Sequence, residues 1–508
     1  MRATEGWRLT LSRWCLVDTY LAARNKISIG STVKCKRLDD RVFGWQDVYE
    51  LRRTGMFSAA ATERRQLLRA TEFFEFLRPR LNAPISVRLW DGTVIPLADS
   101  VHPGLEISLR SPGVIGTLLR RPKADTVLRL YAQGAIDFHG ADLVTFIEKA
   151  RVKNSRSKVK GVPISMMVKM AAAFLTAKGE TVQVANHYQG DETGLNRQQS
   201  ENADFIQFHY DVSNDFYRLF LDEQMVYSCA YFRTAEDTLE QAQANKLEMI
   251  CRKLQLKPGE RMLDIGCGWG ALVCHAAKHY GVRAHGITLS KEQLALTKQR
   301  IQDQGLQDLV TAELCDYADV EGPFDKISSV GMVEHIGIDN MESYMRKVQS
   351  LLPDRGIFLN HGIARPGKML DKQFRKLSTE RRLLVRYIFP GGELDHLGHM
   401  VQCMESSGFD VHDVEGWRDH YSLTCRHWCQ RLEKNREEAI RLVGWERFRL
   451  WTLYLSGCVF ALGDGGARIY QTVATKQVAK GRTTMPWTRE HLYADQSPVQ
   501  VAFKNRAA

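Results

Sequence analysis

The chain has 508 residues, 44% of them hydrophobic and 25% charged, which is typical of a folded protein and too long for one compact core. This composition excludes a disordered, collagen-like or low-complexity protein. The formal net charge of +11 resides in residues 1–200, which hold 31 Lys and Arg against 19 Asp and Glu. No apolar run is long enough for a membrane span, and residues 162–177 and 451–462 are predicted to form buried helices.

The first part of the chain predicts a small α+β domain. Residues 1–60 show little periodicity and are interpreted as an extension of unknown role, in which Met56 is an alternative start. The patterns in residues 61–150 predict helices over 61–77 and 141–151 and strands over 85–90, 94–97, 105–109 and 127–132.

Residues 151–204 are basic and then polar, and they are interpreted as a linker. Six basic residues crowd its beginning: Lys149, Arg151, Lys153, Arg156, Lys158 and Lys160. Three interpretations of this basic stretch stay open, namely a solvated linker, a nucleic-acid contact and a contact with an anionic membrane surface.

From about residue 205, strand and helix patterns alternate, which is typical of a parallel sheet with crossover helices. We expect strands over 262–265, 282–288, 309–314, 324–330 and 356–360, and helices over 238–254, from 270, from 290, and over 344–352. Residues 473–508 are interpreted as a C-terminal tail.

A glycine-rich turn follows the first strand of this second domain. Asp264 precedes Gly266, Gly268 and Gly270, and the turn runs directly into a helix. Glycine lets the backbone turn sharply and approach a ligand, and a helix N-terminus offers unpaired N–H groups. The same spacing would fit a dinucleotide site, but the next strand ends at Thr288 without the carboxylate that holds a ribose there. A dehydrogenase is therefore disfavoured.

The eleven cysteines show no paired framework. Cys425 and Cys429 flank His427, but no second ligand pair has zinc-like spacing, so no metal site is predicted. Reduced thiols and the absence of a signal-peptide pattern predict a cytoplasmic protein.

Six segments of the chain beyond residue 205 resemble the cyclopropane-fatty-acyl-phospholipid synthase and mycolic acid cyclopropane synthase family, within the S-adenosylmethionine-dependent methyltransferases. The resembling residues are His209, Tyr210, Asp211 and Asn214, with the segments 227–232, 263–270, 331–337, 387–392 and 420–421. The resemblance implies an α/β fold, in which a Rossmann-like class I methyltransferase domain over 205–472 follows the small α+β domain. That smaller domain, over 61–150, weakly resembles sterol-carrier proteins and is expected to associate with lipid.

The resemblance also implies two groups of site residues. The residues expected at S-adenosylmethionine are Tyr227, Ser228, Asp264, Gly266, Gly268, Thr288, Gln293, Asp316 and Tyr317. Alternative roles stay open for two of them, because Gln293 lies where a capping box with Ser290 would place it, and Asp316 could be a loop residue.

The second group is catalytic and, in the family, holds a bicarbonate that accepts a proton; here it comprises Cys229, Glu334, His361, Ile363 and Tyr421. Cys229 and His361 alone would more often be core residues, whereas Glu334 follows an apolar strand at the edge where α/β enzymes place chemistry. His335 is left out of this group. Gly362 stands where the family commonly has threonine, and we expect a looser wall there.

Taken together, the resemblance implies a cyclopropane-fatty-acyl-phospholipid synthase that transfers a methylene from S-adenosylmethionine to the cis double bond of an acyl chain. A fatty acyl C-methyltransferase giving methyl-branched, methylene-branched or furan-precursor lipids is the alternative. A lipid-binding protein with a degenerate site is disfavoured because the motif residues are intact. The expected partner is an anionic, unsaturated phospholipid bilayer at the inner face of the cytoplasmic membrane, not nucleic acid. The oligomeric state stays open between monomer and homodimer.

Overall fold

The computed structural model describes residues 59–151, 162–180, 184, 188, 205, 212–367 and 385–494. The chain divides into two compact units, with a boundary between residues 185 and 186. Almost all of the predicted extension 1–60, the basic residues 153–160 and the motif residues 209–211 lie outside the described residues.

The N-terminal unit is an α+β fold built on a four-stranded sheet. Its elements are α1 (Ala59–Leu81), β1 (Ser86–Arg88), β2 (Val94–Pro96), β3 (Glu106–Leu109), α2 (Pro112–Arg120), α3 (Ala124–Ala132), β4 (Ile136–His139), α4 (Leu143–Ala150) and α5 (Ile164–Phe174). The sheet order is β2-β1-β3-β4, with β1 parallel to β3 and the other pairs antiparallel. Its core joins Val87 and Ile107 of the sheet to Phe146 of α4.

The predicted strand over 127–132 is wrong, because these residues lie in helix α3. An ion pair of 2.9 Å between Asp125 and Arg129, one helical turn apart, supports the helix. A short apolar run fits either periodicity, and here the run forms a helix that precedes β4. Residues 136–139, which were not predicted as a strand, pair with β3 instead.

Helix α5 lies inside the segment that was interpreted as a linker. Its inner face belongs to the core of the N-terminal unit through Met170, Ala173 and Phe174. Its outer face is solvent-exposed, with Ile164 82% exposed, so the expectation of a buried helix is wrong for that face.

The C-terminal unit is a seven-stranded sheet flanked by helices. Its elements are α6 (Asn214–Arg218), α7 (Leu239–Leu254), β5 (Arg261–Ile265), α8 (Ala271–Tyr280), β6 (Arg283–Thr288), α9 (Lys291–Asp303), β7 (Val310–Leu314), β8 (Lys326–Val330), α10 (Val333–Ile336), α11 (Met341–Ser350), β9 (Ile357–Ala364), α12 (Leu397–Ser406), β10 (Phe409–Gly416), α13 (Arg418–Lys434), α14 (Arg436–Gly463), β11 (Arg468–Lys476) and α15 (Glu490–Tyr493). The order is β10-β11-β9-β8-β5-β6-β7. The five strands β9, β8, β5, β6 and β7 pair in parallel. Strand β11 is antiparallel to both of its neighbours, β9 and β10.

The predicted α/β class is therefore confirmed. Each of the five predicted strands of the second half is present to within a few residues, and 451–462 lies in the largely buried second half of α14. The chain beyond residue 472 is part of this unit, since β11 pairs with both β9 and β10 and Leu492 of α15 is buried. Among the described helices, none is both long enough and apolar enough to cross a membrane.

Candidate active site

The glycine turn after β5 forms a cradle at the carboxyl edge of the sheet. Gly266 and Gly268 have φ angles of +78° and +55°, a conformation that glycine adopts without steric cost. A Cβ on Gly266 would lie 2.6 Å from Met332 Sδ, whereas a Cβ on Gly268 would meet nothing within 4 Å. Gly266 therefore permits close packing of the turn, and Gly268 faces open space.

That open space is a cavity at the point where the strand order reverses, between β6 and β8 on either side of β5. Ligands bind at such switch points in α/β sheets. All nine residues expected at the cofactor line this cavity: Tyr227, Ser228, Asp264, Gly266, Gly268, Thr288, Gln293, Asp316 and Tyr317. Seven of them lie at or after the ends of β5, β6 and β7, which share one edge of the sheet, and Tyr227 and Ser228 come from the connection between α6 and α7.

Two polar side chains are fixed at the floor of the cavity. Asp264 is buried, its Oδ1 accepts a hydrogen bond of 2.6 Å from Ser328, and burial raises its pKa to about 6. Thr288 Oγ1 donates to Gln293 Oε1 at 2.7 Å. The amide side chain of Gln293 thus bonds Thr288, so only half of the predicted capping box forms, through the bond from Gln293 N to Ser290 Oγ.

The other end of the cavity is formed by the turn after β7. Asp316 Oδ1 accepts a hydrogen bond of 2.9 Å from Ala318 N, so Asp316 does act as a loop residue while it lines the cavity. The ring of Tyr317 packs edge-on against Tyr344 with 4.9 Å between centroids. This contact holds the Tyr317 ring at the cavity wall.

Lys246 is a site residue that the sequence reasoning missed. It lies on α7, is 2% exposed, lines the cavity, and donates a hydrogen bond of 2.9 Å to Ser228 Oγ. Burial lowers its pKa to about 8, opposed by the charges of Asp222, Cys229 and Asp264. A lysine in a helical pattern is normally read as a solvated residue, so only its burial among carboxyl groups could have revealed it.

Four of the five expected catalytic residues, Cys229, His361, Ile363 and Tyr421, lie around one buried aromatic residue, Trp417. Cys229 Sγ contacts the Trp417 carbonyl oxygen at 3.7 Å, and the ring of His361 lies 5.1 Å from that of Trp417. Ile363 and Tyr421 pack against the same hydrophobic cluster. Burial raises the pKa of the Cys229 thiol and of the Tyr421 phenol well above their usual ranges, so both groups keep their protons.

Glu334 joins this group through the backbone of β9. Its Oε1 accepts a hydrogen bond of 2.5 Å from Ile363 N, and its Oε2 is buried without a hydrogen-bond partner among the described residues. Burial raises the pKa of Glu334 to about 7. Its carboxyl group can therefore gain or lose a proton near neutral pH, which is the property of a general acid or base.

The tautomer of His361 follows from a chain of buried hydrogen bonds. Lys253 Nζ can only donate, and it bonds Gln471 Oε1 at 2.8 Å, which turns Gln471 Nε2 toward His361 Nδ1 at 2.9 Å. Nδ1 must therefore accept, and the ring proton is on Nε2, which has no partner among the described residues. Burial lowers the pKa of His361 well below its usual range, so His361 offers one hydrogen bond and no positive charge.

Comparison with known proteins identifies the family. The family model described as mycolic acid cyclopropane synthetase matches residues 197–472, more than half of the chain. The chain belongs to the mycolic acid cyclopropane synthetase family. Members of this family are S-adenosylmethionine-dependent methyltransferases, which is accordingly the class of this enzyme.

The relatives of this protein differ in how much of its chain they match. A probable fatty acid methyltransferase from Pseudomonas putida is 37% identical over 81% of this chain and 97% of its own. The structure of the cyclopropane synthase MmaA2 from Mycobacterium tuberculosis is 31% identical with a TM-score of 0.51, covering 54% of this chain and 98% of its own. The mycolic acid cyclopropane synthase CmaA1, solved in complex with SAH and CTAB, has the same TM-score and coverage at 33% identity.

In this member of the cyclopropane synthetase family, the packing beside Gly362 differs from the looser wall that the resemblance led us to expect. A Cβ on Gly362 would lie 2.1 Å from Val333 Cγ2. The space that a side chain would occupy is filled by Val333, so the expectation of a looser wall is wrong. Gly362 instead lets β9 approach the helix that carries Glu334.

Aromatic side chains surround the candidate site of this family member. Phe216, Phe220 and Tyr227 pack with Trp451 at centroid distances of 5.4, 5.9 and 6.3 Å. Tyr231 packs 4.8 Å from Trp417. His335, which was left out of the catalytic group, lines the cavity at the glycine turn, whereas the five expected catalytic residues do not.

Proposed function

We propose that this protein is a cyclopropane-fatty-acyl-phospholipid synthase. It would transfer a methylene from S-adenosylmethionine to the cis double bond of an unsaturated phospholipid acyl chain. The observation that carries the proposal is Glu334, a buried carboxyl group with a pKa of about 7 and one unpartnered oxygen, beside a cluster of aromatic and aliphatic side chains.

The cavity at the glycine turn suits S-adenosylmethionine. Gly268 leaves open space where any side chain would protrude, and Gln293, Asp316 and Tyr317 offer polar groups along the same cavity. When bound there, S-adenosylmethionine supplies an electrophilic methyl group. The role of the protein is then to bring an apolar double bond to that cavity and to exclude water.

Proton removal is the step that separates a cyclopropane from other products. In methyl transfer, the methyl carbon would form a bond to one alkene carbon while its bond to sulfur breaks and S-adenosylhomocysteine leaves. The other alkene carbon would then carry the positive charge, and the ring would close only when the transferred carbon loses a proton. A dry wall protects the cation from water, and a base must be held close by. Trp417, Tyr231 and Ile363 supply apolar surface, and Glu334 is tied to this surface by the hydrogen bond that its Oε1 accepts from Ile363 N.

The residues also fit a bound bicarbonate. An anion with hydrogen-bond acceptors and one proton would match the unpartnered donor His361 Nε2 and a Glu334 carboxyl group that can share a proton. The protonated Tyr421 phenol is a further donor at this cluster. Bicarbonate would supply the proton acceptor, while Glu334, His361 and Tyr421 would orient it.

A second candidate is fatty acyl C-methylation that stops before ring closure. It is favoured by a relative that is matched over 81% of this chain, a Pseudomonas putida protein that is named a probable fatty acid methyltransferase. The two cyclopropane synthase structures, by contrast, each cover 54% of this chain. Both reactions would begin at the same alkene and need the same cofactor residues.

One experiment separates these candidates. The purified full chain is incubated with vesicles of unsaturated phospholipid and S-adenosylmethionine, and the acyl chains are analysed by mass spectrometry and proton NMR. Gain of one CH2 with cyclopropane ring protons and loss of vinylic protons supports the main proposal. A methyl group on a retained double bond supports the alternative. No mass gain from a protein that still binds S-adenosylhomocysteine overturns both.

A further inference from the structure

Helix α5 of the N-terminal unit carries apolar side chains on its outer face. Ile164, Val168 and Leu175 are 82%, 60% and 46% exposed. Their spacing of four and seven residues places them along one side of a helix and its C-terminal continuation. We call these three residues the apolar stripe.

The apolar stripe is a cluster and not a scatter of isolated residues. The large apolar residues that are exposed in the described part of the N-terminal unit are Leu68, Val94, Ile164, Val168 and Leu175. Three of these five fall within twelve residues of chain. Single exposed apolar residues are ordinary, whereas a clustered set marks a contact surface.

The chain around the apolar stripe is strongly positive. Residues 149–179 contain eight Lys and Arg and no Asp or Glu. Four of these basic residues are described, and Lys149, Arg151, Lys169 and Lys178 are all exposed. An apolar helical face flanked by cations is the pattern of a helix that lies in the interface of an anionic membrane.

We propose that helix α5 docks the enzyme on bilayers that contain anionic phospholipid, with the apolar stripe inserted between headgroups and the flanking lysines on lipid phosphates. The choice of substrate bilayer rests on the proposed function, but the docking surface is argued from α5 alone. Nucleic acid would leave the exposed Ile164 and Val168 without a partner. Three side chains also provide too little area for a stable second copy, which needs about 800 Å² on each partner.

The test is flotation of the full chain with vesicles of phosphatidylglycerol and, in parallel, of phosphatidylcholine. The apolar stripe is altered by Ile164→Ser with Val168→Ser, and the matched control is Val94→Ser with Val414→Ser, which changes exposed apolar residues on two edge strands. We expect the stripe variant to bind phosphatidylglycerol vesicles roughly tenfold or more weakly, because each apolar side chain removed from water contributes on the order of 1 kcal/mol or more.

The charge contribution is tested by Lys169→Gln with Lys178→Gln. We expect this variant to bind phosphatidylglycerol vesicles several-fold more weakly and to lose part of the salt dependence of binding. Binding of the wild type to phosphatidylcholine should already be weaker than to phosphatidylglycerol. Equal binding to both lipids would contradict the anionic partner.

Other results overturn the proposal or separate it from the proposed function. Unchanged vesicle binding of the stripe variant, with circular dichroism and unfolding like wild type, overturns it. A wild-type dimer that becomes a monomer in the stripe variant also overturns it, since the stripe would then be an interface between copies. Turnover on unsaturated phospholipid in detergent micelles should survive in the stripe variant. Wild-type vesicle binding without any turnover would contradict the proposed function and leave the docking surface standing.

Discussion

The backbone of Gly362 approaches Val333 so closely that a Cβ at position 362 would lie 2.1 Å from Val333 Cγ2. We expect Gly362→Ala to lower the free energy of unfolding by about 1–3 kcal/mol, because Val333 is buried and can move little. Urea unfolding measures the change. Combining Gly362→Ala with Val333→Ala should restore much of the lost free energy of unfolding, because the shorter side chain at position 333 makes room for the new Cβ. Gly457→Ala is the matched control, since a Cβ there meets nothing within 4 Å; equal effects of both alanines would contradict the packing argument.

Glu334→Gln should separate cofactor binding from turnover. The amide keeps the shape of the side chain and can still accept from Ile363 N, but it cannot exchange a proton. We expect loss of most turnover, of about 100-fold or more, with S-adenosylhomocysteine affinity unchanged by calorimetry. Turnover of the wild type should fall as pH drops below about 7, where the carboxylate becomes protonated. Wild-type turnover in the variant would remove Glu334 from the catalytic group.

The same carboxyl group should also make stability depend on pH. The pKa of Glu334 is raised from 4.5 to about 7 in the folded protein, so its favourable contribution is complete below pH 4.5 and is lost as pH rises to about 7. The free energy of unfolding of Glu334→Gln minus that of the wild type should therefore rise by up to about 3 kcal/mol from pH 5 to pH 8. A constant difference across urea unfolding at these two pH values would contradict the buried, shifted carboxyl group.

Lys246→Met should weaken cofactor binding without removing the cavity. The Ser228 hydroxyl loses its 2.9 Å donor, and the buried Asp264 loses a neighbouring positive charge. We expect S-adenosylhomocysteine to bind about tenfold more weakly. Wild-type affinity should also fall above pH 8, where Lys246 loses its proton, and the variant should lack this dependence. Lys326→Met is the control, because Lys326 is also buried, at 7% exposed, but pairs with Glu260 and does not line the cavity.

Gly268→Ala and Gly259→Ala form a matched pair. Both glycines have positive φ, and a Cβ on either would meet nothing within 4 Å, but only Gly268 lines the cavity. Each alanine should lower the free energy of unfolding by about 1 kcal/mol through the left-handed backbone. Only Gly268→Ala should weaken S-adenosylhomocysteine binding, which calorimetry measures. Equal affinities in the two variants would show that the open space at Gly268 is not used by the ligand.

Local patterns were sufficient to predict most elements of the C-terminal unit. The run of alternating strands and helices and the glycine turn at Gly266 and Gly268 are encoded within short stretches of chain, because burial periodicity and positive φ are local requirements. In parallel sheets, residues at strand ends meet at one edge, which is why seven of the nine expected cofactor residues line one cavity; Tyr227 and Ser228 reach it from the connection between α6 and α7. The short run 127–132 was misassigned because two periodicities fit it equally well.

The sequence by itself therefore determined the α/β class, the family and the residues along the cofactor cavity. Only the tertiary structure decided that Lys246 is buried near Asp264, that Cys229, His361, Ile363 and Tyr421 meet around Trp417, and that His361 is neutral with its proton on Nε2. It likewise decided that Val333 fills the space beside Gly362 and that α5 exposes its apolar stripe. The physical reason is the same in each case: burial, pKa and tautomer depend on neighbours that lie tens to hundreds of residues away in the chain and meet only in the folded protein.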